Sequence, residues 1–341
     1  MKNKKTSILI LTPFYSPNIG GVETHLDDLT KGLLKYSEFY VNVITYKPLT
    51  TKVKVSFIEK KDRLSIIRLP WIGHNLFHFL EHYPLLEFLY LTPWLFLYTF
   101  IFLCINFRSI KVVHAHGFNA AFIGKVFKPI FQFKLFVSTH AIYNLKSNSK
   151  LAQIIIWILS SSDKVFTLSK PSYNELLLCG LNQSQVESYR YWIDLERFMI
   201  KDKEESKKKI GWQDKFIVLF VGRFIPIKGV DVLLKVAEKS NPNIYYVFIG
   251  DGPLAKSVEN ICNRLNNAIY IGKVQNHELA KYYNASDIFC IPSQYNEGLG
   301  RTVLEAMACG IPVVGSNKGG IPEAVSENVG ILVEPSIENL S

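Results

Sequence analysis

Two glutamates eight positions apart, Glu297 and Glu305, bracket a glycine-bearing turn in PSQYNEGLGRTVLEAMACGIPVV (292–314). A carboxylate accepts hydrogen bonds and donates none, so a pair at this spacing suits a ligand rich in hydroxyls. Gly298 and Gly300 let main-chain amides come close to such a ligand, and a helix opening after them presents its positive end. A plainer structural reading competes. Thr302-Val-Leu-Glu305 fits a capping box, with Glu305 in the first helical turn closing a free N–H. Glu297 is then an exposed loop charge.

Other stretches add chemistry. In VGRFIPIKGVDVLL (221–234), Arg223 and Lys228 flank a loop that ends a strand and opens a helix. A forked guanidinium and a point-charge ammonium together suit a diphosphate. FIGDGPL (248–254) and KGGIPEAV (318–325), with Gly319, Gly320 and Glu323, supply two more glycine turns after apolar runs. PNIGGVETHL (17–26) sets Gly20 and Gly21 between a first strand and a helix, an arrangement that admits an anion at a helix N-terminus. His25 follows one helical turn later. His114, in KVVHAH, is read as a core residue pointing into the sheet, because alternate strand residues face opposite ways.

The elements that position these groups alternate. SILILTPF, VNVITY, KVVHAH, KLFVSTH and KVFTLS are strand-like in the first half, and FIVLFVGR, YYVFIG, AIYIG, IFCIPS and IPVVGS in the second. Continuous apolar runs spaced by amphipathic segments indicate parallel sheets covered on both faces. A chain of 341 residues, 48% hydrophobic, accommodates two such α/β domains, each doubly wound, with ligands beyond the carboxyl ends of the strands. The division is expected at 195/196, where composition turns charged.

Residues 1–200 hold 23 Lys+Arg against 13 Asp+Glu, while 201–341 hold 16 of each, so the whole excess of +10 lies in the first half. That asymmetry points to an anionic partner. No helix-turn-helix, zinc spacing or RNP-like strand accompanies it, so nucleic acid is the weakest option and lipid or phosphate the expected partner. Five cysteines without a C-x-x-C pair read as reduced thiols of a cytoplasmic protein. The start MKNKKTSILIL has too short an apolar run for a signal peptide and reads as a first strand. Phe88–Phe107 holds 20 residues without a charge. It can be a spanning helix, a wholly buried core helix, or an interfacial surface whose Tyr83, Tyr90, Trp94 and Tyr98 enter the lipid headgroup region. The interfacial reading is preferred, because Pro93 breaks a span and a span inside a parallel sheet would split it.

Taken together, GRF-x-x-x-KG, IGDGP, the E-x7-E of Glu297 and Glu305, EAMACGIPVV and GGIPE resemble a retaining glycosyltransferase of GT-B fold, of the group 1 type called glycosyltransferase family 4. The resemblance is dense from about residue 217 to 334, and looser in the first half, where GGVETH, KVVHAHG and VSTHA carry it. It implies two Rossmann-like domains, 1–195 for the acceptor and 196–341 for the donor, facing each other across a cleft. A nucleotide-diphosphate sugar is then the donor. The aromatic segment and the basic first half point to a glycan or polyprenyl-linked saccharide as the acceptor, in cell-surface polysaccharide synthesis. Arg223 and Lys228 neutralise the diphosphate, and Glu305 takes the ribose hydroxyls. Glu297 holds hydroxyls of the transferred sugar, with the amides of Gly298, Leu299, Gly300 and Arg301 along sugar and phosphates. Gly20 and Gly21 belong to the donor site. His140, in VSTHA, contacts the donor sugar, and His116, with His25, lines the acceptor side. Without a D-x-D motif or metal-ligand spacing, no metal or other cofactor is expected. Retention leaves the acceptor proton to the departing phosphate. An anionic membrane surface is the expected partner, with the enzyme peripheral on its inner face.

The chain departs from the family pattern in three places. Tyr191-Trp192-Ile193-Asp194 replaces an Asn-Gly pair before Val-Asp, Leu299 and Arg301 replace an aromatic and an apolar residue, and the sequence stops at PSIENLS, short of further helices usual in relatives. A catalytically silent subunit and a GT-B sugar-nucleotide epimerase remain alternative readings.

Overall fold

The computed structural model describes residues 6–18, 20–49, 53–73, 76–80 and 83–341. The basic start, residues 1–5, and Ile19 of the PNIGGVETHL stretch lie outside them. The chain divides into two compact units, Met1–Trp192 and Ile193–Ser341, so the division falls just before the expected 195/196.

The first unit runs β1 (Thr6–Leu11), α1 (Gly21–Leu34), β2 (Phe39–Tyr46), β3 (Ile58–Lys61), β4 (Leu64–Leu69), α2 (Leu76–Leu80), α3 (Pro84–Asn106), β5 (Ile110–His116), α4 (Phe118–Phe131), β6 (Lys134–Ser138), α5 (Lys150–Leu159), β7 (Lys164–Thr167), α6 (Lys170–Leu178) and β8 (Val186–Ser188). Its eight strands lie in the order β3-β4-β2-β1-β5-β6-β7-β8. All pair in parallel except β3 with β4, which are antiparallel, so one edge departs from the all-parallel expectation. Strand residues alternate between two cores. Leu9 and Leu11 of β1 pack under α3, α4 and α5, while Ile8 and Ile10 pack under α1 with Leu26. The sheet order reverses between β1 and β5, which places the loops after those strands at the switch point.

α3 corrects the wholly buried reading of the uncharged segment and weighs against the spanning one. Leu91, Leu95 and Leu103 are buried in the core of the first unit, whereas Leu89, Leu97 and Ile101 are exposed. The helix is therefore not wholly buried. Nor does it stand clear of the sheet as a span would. The Tyr46 hydroxyl on β2 donates to the Leu91 carbonyl (2.8 Å) and accepts from the Leu95 amide (3.0 Å), stitching the helix to β2 on either side of Pro93. Side-chain insertion of this kind is a usual companion of a helix irregularity.

The second unit runs α7 (Lys203–Ile210), β9 (Phe216–Val221), α8 (Val230–Lys239), β10 (Ile244–Ile249), α9 (Ala255–Cys262), β11 (Ala268–Gly272), α10 (Leu279–Asn284), β12 (Ile288–Ile291), α11 (Arg301–Ala308), β13 (Val313–Ser316), α12 (Ile321–Ala324), β14 (Gly330–Val333) and α13 (Ile337–Leu340). Its six strands are parallel, in the order β11-β10-β9-β12-β13-β14. Val218, Phe220 and Phe248 pack under α8 and α9, and Ile217, Leu219 and Val247 under α10 and α11. Here the order reverses between β9 and β12. Arg223 follows one of these strands and Glu297 the other. Both units are thus Rossmann-like α/β layers.

Candidate functional site

In the second unit the expected donor residues converge on the loops after β9 and β12. Arg223 is pinned by its neighbours in sequence: the Gly222 amide donates to Ile249 (3.0 Å), and the Phe224 amide donates to the Asp251 carbonyl (2.8 Å). The IGDGP turn can lie this close because Gly250 has no side chain. A Cβ there would stand 1.8 Å from the Gly222 carbonyl oxygen. Lys228 ends a one-turn 3-10 helix, Pro226–Lys228, and its ammonium forms an ion pair with Glu297. The second oxygen of Glu297 accepts from the Ser293 hydroxyl at 2.6 Å. Burial alone would depress the Lys228 ammonium, but the Glu297 carboxylate and Tyr295 outweigh it and raise its pKa, so it stays charged.

The GGIPE turn supports this pair from behind. The Gly320 amide donates to the Glu297 carbonyl at 2.8 Å. Gly319, at φ +60°, lies flat on the Glu297 main chain, where a Cβ would come within 2.2 Å of that same carbonyl oxygen. Gly319 and Gly320 therefore set the position of Glu297, which lies in another loop.

Glu305 behaves differently from its expected capping role. The N-cap of α11 is Gly300, and Glu305 is the fifth residue of the helix, beyond the first turn. The capping box is overturned. The carboxylate turns inward, buried, and accepts from Arg301 Nε (3.0 Å), Asn276 Nδ2 (2.9 Å) and the Tyr283 hydroxyl (3.1 Å). Burial raises its pKa, while the Arg301 guanidinium opposes that rise. Arg301 is itself buried, so the departure from an apolar residue at this position is matched by a carboxylate one helical turn on. Leu299 is only 1% exposed, which leaves its main chain, not its side chain, to meet a ligand. Asn276, Tyr283 and Ser293 were not foreseen. They lie 29, 22 and 4 positions from their carboxylates, and only Ser293 is near enough in sequence to have been suspected.

The first unit gathers its histidines at the carboxyl ends of β5 and β6. His116 Nδ1 lies 3.0 Å from His140 Nε2, with the two rings stacked at 14°. The Tyr191 hydroxyl is 3.5 Å from His140 Nδ1, and that of Tyr189 is 3.1 Å from His25 Nε2. His25 stands 5.9 Å from His140, ring to ring. His114 is largely buried, as a core residue should be, but the face expected for it is corrected. Residues two apart in a strand share a face, and its ring lies 4.1 Å from His116, with Nε2 2.8 Å from the Ser138 hydroxyl. Burial holds the imidazoles of His114, His116 and His140 neutral, with His114 pushed down to about 4 and His140 to about 3. His116 is also held well below the usual imidazole value, by burial and then by its three histidine neighbours. Its Nε2 is buried without a hydrogen-bond partner among the described residues. Gly20 is the extended N-cap of α1 and Gly21 its first residue, on the loop side of the same switch point. Among the described residues no three His, Cys, Asp or Glu side chains form a group able to hold a metal ion.

Residues 202–341 match the family described as glycosyl transferases group 1. An uncharacterized glycosyltransferase of Methanocaldococcus jannaschii is 26% identical over 97% of this chain and 86% of its own length. D-inositol 3-phosphate glycosyltransferase 2 of Catenulispora acidiphila is 30% identical over 50% of this chain and 44% of its own. Among solved structures, Anabaena HepE in complex with UDP and glucose superposes with a TM-score of 0.73 at 18% identity, covering 98% of this chain and 88% of that one. Sucrose-phosphate synthase from Thermosynechococcus elongatus gives 0.77 at 22% identity, with the same coverage.

Proposed function

This chain belongs to the group 1 glycosyltransferases of GT-B fold, and on that premise we propose that it moves a sugar from a nucleotide-diphosphate sugar to a hydroxyl of a glycan or lipid-linked saccharide, with retention and without a metal. The observation that carries the reading is the convergence of Arg223, Lys228 and Glu297 at the switch point of the second unit. Two cations held there meet the charge that grows on a departing diphosphate, the work a divalent ion does in other transferases. Lys228 is kept charged by Glu297, so its pairing energy is shared with the donor phosphates when they arrive. Glu297 then turns an oxygen to the sugar hydroxyls. Glu305 keeps one acceptor direction on the oxygen bonded to Tyr283, enough for a ribose hydroxyl, while its other contacts hold α11 in place.

In the transfer the bond between the anomeric carbon and the phosphate oxygen breaks and a bond to the acceptor oxygen forms on the same face. The acceptor proton passes to the departing phosphate. Neutral histidines suit this step, since they can hold hydroxyls without competing for the proton. The buried Nε2 of His116, without a hydrogen-bond partner among the described residues, supports assigning His116 to the acceptor side. HepE, bound to UDP and glucose, is a fold neighbour whose ligands agree with the donor class.

The test is release of nucleoside diphosphate in the presence of a saccharide acceptor and excess EDTA, with the product's anomeric configuration read by NMR. Unchanged turnover in EDTA and a retained anomer support the reading. Loss of activity in EDTA restored by a divalent ion removes the metal-free part, and an inverted anomer removes retention.

A further inference from the structure

From Phe88 to Ser162 the chain carries no Asp or Glu and seven Lys or Arg. That stretch supplies α3, α4 and α5, one helical layer over the sheet face lined by Leu9, Leu11, Val113 and Ala115. The outward side of the layer is apolar too. On α3, Leu85, Leu89, Leu97, Ile101 and Ile105 recur at multiples of four and are 46 to 76% exposed. Leu151, Ile154 and Trp157 on α5 and Ile130 at the end of α4 are exposed as well. Rings join the helices into one surface. Phe122 of α4 lies 5.5 Å from Phe88 of α3 and 6.4 Å from Trp157 of α5, and Phe131 lies 6.2 Å from Phe100 and 6.3 Å from Phe107. Scattered exposed apolar residues are ordinary; a joined face of this extent marks an interaction surface.

Cations rim it. Lys125 stands 4.4 Å over the Trp157 ring and Arg108 5.7 Å over that of Phe107. Lys111, Lys125, Lys128 and Lys134 line a cleft of about 930 Å³ at the end of α4, where Asp163 pairs with Lys128 (2.7 Å) and Lys134 (2.9 Å). A second cleft of about 730 Å³ shares Lys111 and adds Arg108, Lys60, Arg63 and Asp62.

We propose that the α3–α4–α5 face docks on an anionic lipid bilayer, its apolar side chains entering the headgroup boundary and its rim cations taking lipid phosphates. Charge selects this occupant. A second copy of the face would set cations against cations with no carboxylate on any of the three helices except Glu87. α3 is long and apolar enough to cross a membrane, but the buried Leu91, Leu95 and Leu103 and the Tyr46 bonds tie it to the sheet and favour docking over a span. This docking does not rest on the sugar-transfer reading.

The experiment is co-sedimentation of the full chain, without nucleotide, with vesicles of phosphatidylcholine carrying increasing phosphatidylglycerol. Wild type, Ile101→Glu with Ile105→Glu, and Arg108→Glu with Lys125→Glu are compared. Both double variants share a fold control, the thermal transition of the first unit. Wild type is expected to bind in proportion to anionic content and to release at high salt. Each cation removed should weaken partitioning about fivefold. The isoleucine variant should bind at least about tenfold more weakly at equal anionic content. Equal binding to phosphatidylcholine alone, no binding to either vesicle, or folded variants that bind like wild type would overturn the proposal. A concentration-dependent dimer that the isoleucine variant abolishes would overturn it in favour of a second copy.

Discussion

Lys228 and Glu297 form a buried pair, and removing one member strands the other. Glu297→Ala is expected to cost the second unit about 3 kcal/mol in urea unfolding, because Lys228 then lies buried without its carboxylate. A loss below about 1 kcal/mol would mean that the pair is open to water. Glu305→Ala should cost a similar amount by stranding Arg301, whereas Glu305→Leu with Arg301→Met should recover most of it. The four charged residues of this site were legible because each sits at a fixed offset from a glycine turn. Their partners were not. Asn276 and Tyr283 meet Glu305 only through folding of β12 and α11 against α10, and no local pattern announces that. The face of His114, though not its burial, was misread for a simpler reason: a period of two puts it beside His116, on the same face.

At the scale of elements, loops position one another. Gly319→Ala would drive a methyl into the Glu297 carbonyl at a φ that L residues rarely adopt. The expected outcome is a second unit that still unfolds cooperatively, with donor affinity reduced at least about tenfold; calorimetry checks the affinity and circular dichroism the fold. Wild-type affinity in that variant would show that the turn does not set Glu297. The ten strands anticipated from apolar runs all form, since a parallel strand covered on both faces must be apolar throughout. The four missed ones do not have that character. β3 reads IEKK on an exposed edge, β8 has three residues, β14 is a short edge strand at the other sheet's rim, and β4 begins with the half-polar Leu-Ser. α3 eluded a single class because its composition is apolar on every side, so only its packing distinguishes the buried stripe from the exposed one.

Across the whole molecule, charge and titration are unevenly shared. The second unit has a single histidine, His277, while the first holds the buried His114, His116 and His140. Because burial lowers their folded pKa below the unfolded value, the unfolded chain takes up protons first as pH falls. Stability of the first unit is therefore full above about pH 6.5, falls below it, and the loss from His114 is complete only beneath about 4. Thermal melts from pH 7.5 to 5 should show the first unit losing about 1–2 kcal/mol per histidine, with little change in the second. A flat profile for the first unit would show that the imidazoles are solvated.

The claim on which the account turns is that the second unit binds a nucleotide sugar through Arg223 and the Lys228–Glu297 pair. Calorimetric titration of the full chain with UDP-, GDP- and ADP-sugars, without metal, on wild type and Arg223→Ala tests it most directly. The account predicts saturable binding of one nucleotide class, weakened at least about tenfold in the variant, as loss of a forked phosphate contact requires. Absence of binding to every nucleotide sugar, or equal affinity in wild type and Arg223→Ala, would contradict it.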